Sequence, residues 1–172
     1  LDTPWGGVVA EPPTRGAHMA GNVAAAAAAG LWLGLTTDEV SAGLAGGSVS
    51  PWRMEVRTAG SGATIVNDAY NANPTSMRGA LDALAALGHR RKVAVLGYMA
   101  ELGDTEGAEH RAIADYARAV GAEMIAVGTD LYGVDPVDDP IESVGELDEH
   151  VAVLVKGSRS AGLEVVAEAL LA

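Results

Sequence analysis

Three short stretches hold most of the side chains that could do chemistry: "NDAYNANPTS" from Asn67, "GYMAELG" from Gly97 and "KGSRS" from Lys156. In the first, Asn73 followed by Pro74 is the start of a helix, an N-cap with proline at the first helical position. That leaves the carboxylate of Asp68, the phenol of Tyr70 and the amide of Asn71 without a structural purpose. In the last, Lys156, Ser158 and Arg159 precede a predicted helix, whose free N–H groups and dipole favour an anion. Taken singly, each residue has a plainer reading. Asp68 reads as a turn cap, Ser160 as a cap of the last helix, and Glu101 and His110 as solvated helix residues. Trp5, Trp32 and Trp52 read as core or interface residues.

The elements that must position these groups follow from periodicity. Met77, Ala80, Leu81, Leu84 and Leu87 form one helical stripe, leading to a strand over 93–96. Ile113, Tyr116, Ala117 and Val120 form a second, leading to a strand over 124–127. A third strand over 151–155 is followed by a helix bearing Leu163, Val166 and Leu170. Strands apolar on both faces, alternating with amphipathic helices, predict a mostly parallel, Rossmann-like α/β sheet flanked by helices. In such a sheet ligands bind outside the carboxyl ends of the strands, where all three polar stretches fall.

A β-hairpin leads into this sheet. A two-residue Gly60-Ser61 turn would pair Ala59 with Gly62 and so set Arg53 opposite Asp68. Upstream, an Ala-rich helix is expected over 17–33 and another over 37–44, with Thr36 or Thr37 as its cap. His18 and Asn22, four apart, share a face of the first. "GGSVSPW" marks a boundary near residue 50. The Asp/Pro-rich stretch over 129–150 has room for one short element at most.

The 172 residues carry a net charge of −12 and only two lysines, Lys92 and Lys156. With no basic stripe, nucleic acid is not an expected partner. No cysteine is present, which suits a cytoplasmic protein, and the longest apolar run is too short to insert in a membrane. GxxxxGK[ST] and GxGxxG are both absent, and the four histidines lack metal-ligand spacing. The chain starts at Leu1, and the expectation is a piece of a longer protein.

"NDAYNANPTSMRGALDAL", "AVLGYMAELG" and "VLVKGSRSAGLE" closely resemble the C-terminal domain of the Mur ligase family, in the branch that adds D-alanyl-D-alanine (D-Ala-D-Ala). That branch reads D-x-YNANP-x-S-M, VLG-[DE]-M-x-ELG and VLVK-[GA]-SR in the same order. "GAHMAGNVAAAAAAGL" is similar to its G-x-HN-x-x-NA-x-AA segment, and "SPWRMEV" to its GR-x-E. Folylpolyglutamate synthase and other related ligases share the architecture without these words. The resemblance implies that residues 1–50 are a helical remnant of a central ATPase domain and residues 51–172 the Rossmann-like C-terminal domain. It implies an ATP- and Mg2+-dependent amide ligase of peptidoglycan precursor synthesis, with UDP-MurNAc-tripeptide and D-Ala-D-Ala as substrates.

By matching position, the resemblance makes Asn22 an adenine contact, Arg53 the catalytic γ-phosphate arginine and Asp68 the ribose-binding aspartate. Tyr70, Asn71 and Asn73 would wall the ATP site. Ser76, Lys156, Ser158 and Arg159 would serve the dipeptide substrate. Three departures stand out. Met19 replaces an asparagine, Tyr98 replaces the acidic residue of G-[DE]-M, and the 129–150 stretch is too short for the family's helix and strand together. The P-loop, the metal-binding acids and the catalytic lysine belong to parts of the family absent from this sequence. The fragment alone is therefore expected to be inactive and to self-associate. The alternative is a non-catalytic Rossmann-like module that recognises a ligand or partner.

Overall fold

The computed structural model describes residues 1–9, 20–47 and 50–172. The chain divides into two compact units, Leu1–Ser50 and Pro51–Ala172. In the first, β1 (Asp2–Thr3) pairs antiparallel with β2 (Gly6–Gly7), followed by α1 (Ala20–Trp32) and α2 (Thr37–Ala45). Thr36 caps α2 with a reciprocal box: its hydroxyl accepts the Glu39 N–H, and the Glu39 carboxylate accepts the Thr36 N–H. Val8, Ala27, Leu31 and Val40 form the small core. Trp5 and Trp32 are not in it: they are 54% and 77% exposed, which corrects the core reading. His18, Met19 and the predicted start of α1 lie outside the described residues.

The second unit runs β3 (Glu55–Thr58), β4 (Thr64–Asp68), α3 (Pro74–Ala86), β5 (Arg91–Leu96), α4 (Glu106–Ala119), β6 (Glu123–Ala126), α5 (Pro140–Val144), β7 (Val151–Lys156) and α6 (Glu164–Ala169). Its strands lie in the order β3-β4-β7-β5-β6, with β3 antiparallel and the rest parallel. This is the Rossmann-like sheet the stripes predict.

Side-chain alternation sorts the core into two layers. Val66, Ala94, Leu96, Ala152 and Leu154 pack with Met77, Leu81, Leu84, Ile113 and Ala117 of α3 and α4. Ile65, Val93, Val95, Val153 and Val155 pack with Leu163, Val166, Ala167 and Leu170 around α6. Burying a Leu or Ile side chain is worth roughly 1.5–3 kcal/mol, so both helical layers are held by several such residues. Between β6 and β7, only α5 forms, capped by Asp139, whose carboxylate accepts the Ile141 and Glu142 N–H groups.

The hairpin differs from its expected form. Glu55 faces Asn67 and Thr58 faces Thr64, one residue away from the predicted register. Gly62 is the cause: it adopts φ +91° as a third loop residue, and its N–H bonds the Ala59 carbonyl. Arg53 is therefore not the ladder partner of Asp68. Met54, just before β3, meets it instead through a side-chain contact: its N–H donates to Asp68 Oδ1 at 2.9 Å.

Candidate functional site

Asp68 ends β4, and Lys156 ends β7 as its direct partner in the parallel ladder; Leu96 at the end of β5 is the partner of Lys156 on the other side. The side chains of Asp68 and Lys156 lie on one face, and Nζ donates to Asp68 Oδ2 at 2.5 Å. Lys156 is 2% exposed and also donates to the Asn71 carbonyl at 2.8 Å. Burial outweighs the attraction of Asp68 and lowers the ammonium pKa from its ordinary value, and the nearby charge of Arg53 acts in the same direction. Two residues that the resemblance gives to different ligands thus form one buried ion pair.

Arg53 reaches this point by a different route from the ladder. Trp52 and Met54, on either side of it, have φ of 61° and 49°. Left-handed backbone costs about 1–2 kcal/mol at a residue with a Cβ, and Trp52 stands where GR-x-E has glycine. The loop is held by the Met54–Asp68 bond and by Tyr70 N–H to the Trp52 carbonyl at 3.1 Å. So wound, it lays the exposed Arg53 guanidinium over the Tyr70 ring, 3.9 Å from its centroid. Arg53 has no ion pair among the described residues.

Asn73 and Ser76 are taken up by the start of α3. The Asn73 side chain accepts the Ser76 N–H at 2.8 Å, and Ser76 Oγ accepts the Asn73 N–H at 3.1 Å. Asn71 Oδ1 accepts the N–H of Ala72. Ser158 joins two loops: its Oγ accepts the Ala100 N–H at 2.8 Å, and its own N–H bonds the Tyr98 carbonyl. Arg159 pairs with Glu164 at 2.5 Å and lies over the Trp52 ring at 4.3 Å. The chain after Ser158 makes a tight turn over Arg159–Ala161 before α6, and no side-chain hydrogen bond from Ser160 caps α6. The predicted cationic helix start is therefore a 3-10 turn, with Arg159 already neutralised by Glu164. Asn22, exposed in the first turn of α1, belongs to the first unit.

Sequence reasoning missed a second group under the β5 loop. His110, predicted to be solvated, is fully buried. Its ring stacks on Tyr98 with centroids 5.5 Å apart and meets the edge of Tyr132 at 4.9 Å. Tyr98, in the position of the family's acid, donates to Glu106, and Tyr132 donates to the Gly97 carbonyl at 2.7 Å. That carboxylate raises the Tyr98 pKa, and burial raises that of Tyr132. The available signal was spacing: His110 precedes Ile113 by three and Ala117 by seven, on the apolar stripe of α4.

Among the described residues no three of His, Asp and Glu stand together as a cation site. No helix among them is long and apolar enough to cross a membrane. A shallow cavity of about 250 Å3, lined by Ala59, Ser61, Leu147 and Leu170 among others, lies at the hairpin end of the sheet, away from these groups.

The model of the Mur ligase glutamate ligase domain matches residues 52–159. The UDP-N-acetylmuramoyl-tripeptide--D-alanyl-D-alanine ligase of Mycobacterium tuberculosis H37Rv is 38% identical over 91% of this chain, and that of Escherichia coli K12 is 34% identical over 99%. The chain spans 38% and 40% of the length of those proteins. Among solved structures, MurF from Acinetobacter baumannii superposes with a TM-score of 0.80 at 26% identity, covering 98% of this chain and 41% of that one. MurF from Thermotoga maritima in complex with ADP gives 0.75 at 26% identity, covering 90% and 38%.

Proposed function

The chain belongs to the Mur ligase family, and on that premise we propose that it is the C-terminal part of a cytoplasmic, ATP-dependent ligase joining D-Ala-D-Ala to UDP-MurNAc-tripeptide. Residues 51–172 are its C-terminal domain and residues 1–50 the end of its ATP-binding domain. A carboxylate is a poor electrophile until one oxygen becomes a leaving group. ATP transfers its γ-phosphoryl group to the terminal carboxylate of the tripeptide and departs as ADP. The dipeptide amine then attacks the acyl carbon, the amide bond forms, a proton is lost from nitrogen, and inorganic phosphate leaves.

Phosphoryl transfer of this kind rests on positioning and neutralisation of charge. Arg53 supplies the cation, and its presentation is the single observation that carries the reading. It is an exposed guanidinium held on Tyr70, without an ion-pair partner among the described residues, at the carboxyl edge of a parallel sheet. A planar donor fork of this sort suits phosphate oxygens. In this reading Asp68, Tyr70, Asn71 and Asn73 border the nucleotide, while Ser76, Ser158 and Arg159 border the dipeptide. Mg2+, when bound, supplies further neutralisation of the phosphates; its ligands would come from outside the described residues.

The test is Arg53→Ala in the complete ligase, followed by phosphate release. A loss of roughly a hundredfold or more in kcat is expected for a contact made in the transition state. A change within a factor of about three, under 1 kcal/mol, sinks the assignment. A reading frame upstream of Leu1 with no GT-x-GKT-like phosphate loop would sink the ligase reading as a whole.

A further inference from the structure

Lys156 is the largest fully buried side chain among the described residues, and its ammonium is spent inside the protein. One N–H goes to Asp68 Oδ2 and another to the Asn71 carbonyl. Those two partners lead to the same place. Asp68 passes the restraint through its other oxygen to the Met54 N–H, and so to the loop that carries Arg53. Asn71 follows Tyr70, whose ring lies under that arginine and whose N–H closes on Trp52. The strained backbone on either side of Arg53 needs such anchors, because left-handed Trp52 and Met54 would otherwise relax.

We infer that Lys156 is a positioning residue: from inside the sheet it holds both the loop that presents Arg53 and the segment that supports it, and it meets no ligand itself. This rests on the ligase reading for its consequence and departs from it in one respect, since the resemblance puts Lys156 at the dipeptide. At 2% exposure, Nζ offers an incoming carboxylate no approach. Among the described residues the ion pair is also the one direct charged contact between the ends of β4 and β7. Arg159, on the same β7 side, lies over the Trp52 ring but is held separately by its ion pair with Glu164.

The test begins with NMR of this 172-residue chain, without nucleotide. A guanidinium 3.9 Å above a ring gives an upfield-shifted Arg53 Nε–H signal, and the Met54 amide is protected from exchange. Lys156→Met is expected to return the Arg53 signal to its solvent-exposed position and to speed Met54 exchange at least tenfold, while the methyl signals of Ile113 and Leu84 stay in place. If the lone carboxylate prevents folding, the double variant Asp68→Asn/Lys156→Met removes both charges and is expected to give the same two changes. A folded variant that keeps the ring-shifted arginine and the protected amide overturns the inference. In the complete ligase, Lys156→Met is expected to lower kcat with KM for D-Ala-D-Ala nearly unchanged; a raised KM with kcat kept also overturns it. A protein with no ligase activity would sink the functional reading alone, leaving the NMR result to decide this one.

Discussion

The backbone N–H of Met99 donates to Nε2 of His110 at 2.9 Å. Because Nε2 accepts, the ring proton is on Nδ1, which donates to the Glu106 carbonyl at 2.8 Å. A helix and the loop after β5 are thereby joined through one neutral imidazole, enclosed by Tyr98 and Tyr132.

His110→Leu is expected to lower stability by about 2–3 kcal/mol, since it strands the buried Met99 N–H and loses the bond to the helix. Urea denaturation measures this, and a change below about 0.5 kcal/mol would contradict it, the size of an ordinary surface substitution. Long-range nitrogen–proton NMR should show the Nδ1–H tautomer.

Gly97 and Gly157 allow the ends of β5 and β7 to meet. A Cβ on Gly97 would lie 2.8 Å from Leu163 Cδ1 and 3.1 Å from Ala161 Cβ, and one on Gly157 would lie 3.2 Å from the Gly97 Cα. Gly97→Ala should cost about 1–3 kcal/mol through overpacking. Adding Leu163→Ala should recover part of that loss relative to the sum of the single changes. Strict additivity in the double-mutant cycle would refute the contact as the cause.

Arg159 holds the Glu164 carboxyl below its ordinary pKa of 4.5, chiefly by its hydrogen bond. The fold therefore favours the ionised form. This stabilisation is complete above 4.5 and is lost as the pH falls through the lower folded value. The pair is near solvent and worth under about 1 kcal/mol. Carboxyl carbon NMR should place the Glu164 midpoint below 4.5, and Arg159→Gln should bring it back towards that value. An unmoved midpoint in the variant would reject the pair as the cause.

Helices and parallel strands were legible because burial imposes period on sequence. Met77, Leu81 and Leu84 lie on one face of α3, and every residue of β7 is buried, as an apolar run between two helical layers requires. The hairpin register was not legible, since Gly60-Ser61 and Gly60-Ser61-Gly62 are both sound turns and the choice moves every pair by one. Nor was the winding at Trp52, where a bulky residue adopts a glycine's conformation. The polar residues at the strand ends were found, but not their mutual contacts. Asp68 and Lys156 are 88 positions apart, and only the placement of β7 beside β4 makes them neighbours.

That placement also governs when the sheet can form. Of these five strands β7 comes last in sequence, yet it stands in the middle, between β4 and β5. As the chain emerges from the ribosome, β3-β4 and β5-β6 can pair as two half-sheets, each with an open apolar edge. Neither can join the other until residues 151–156 thread between them. Such late, distant pairing is intrinsically slow and exposes edges prone to association. A nascent chain stalled before Val151 should accordingly be bound by chaperones and cut by protease, and a short peptide of the β7 sequence supplied in trans should protect it.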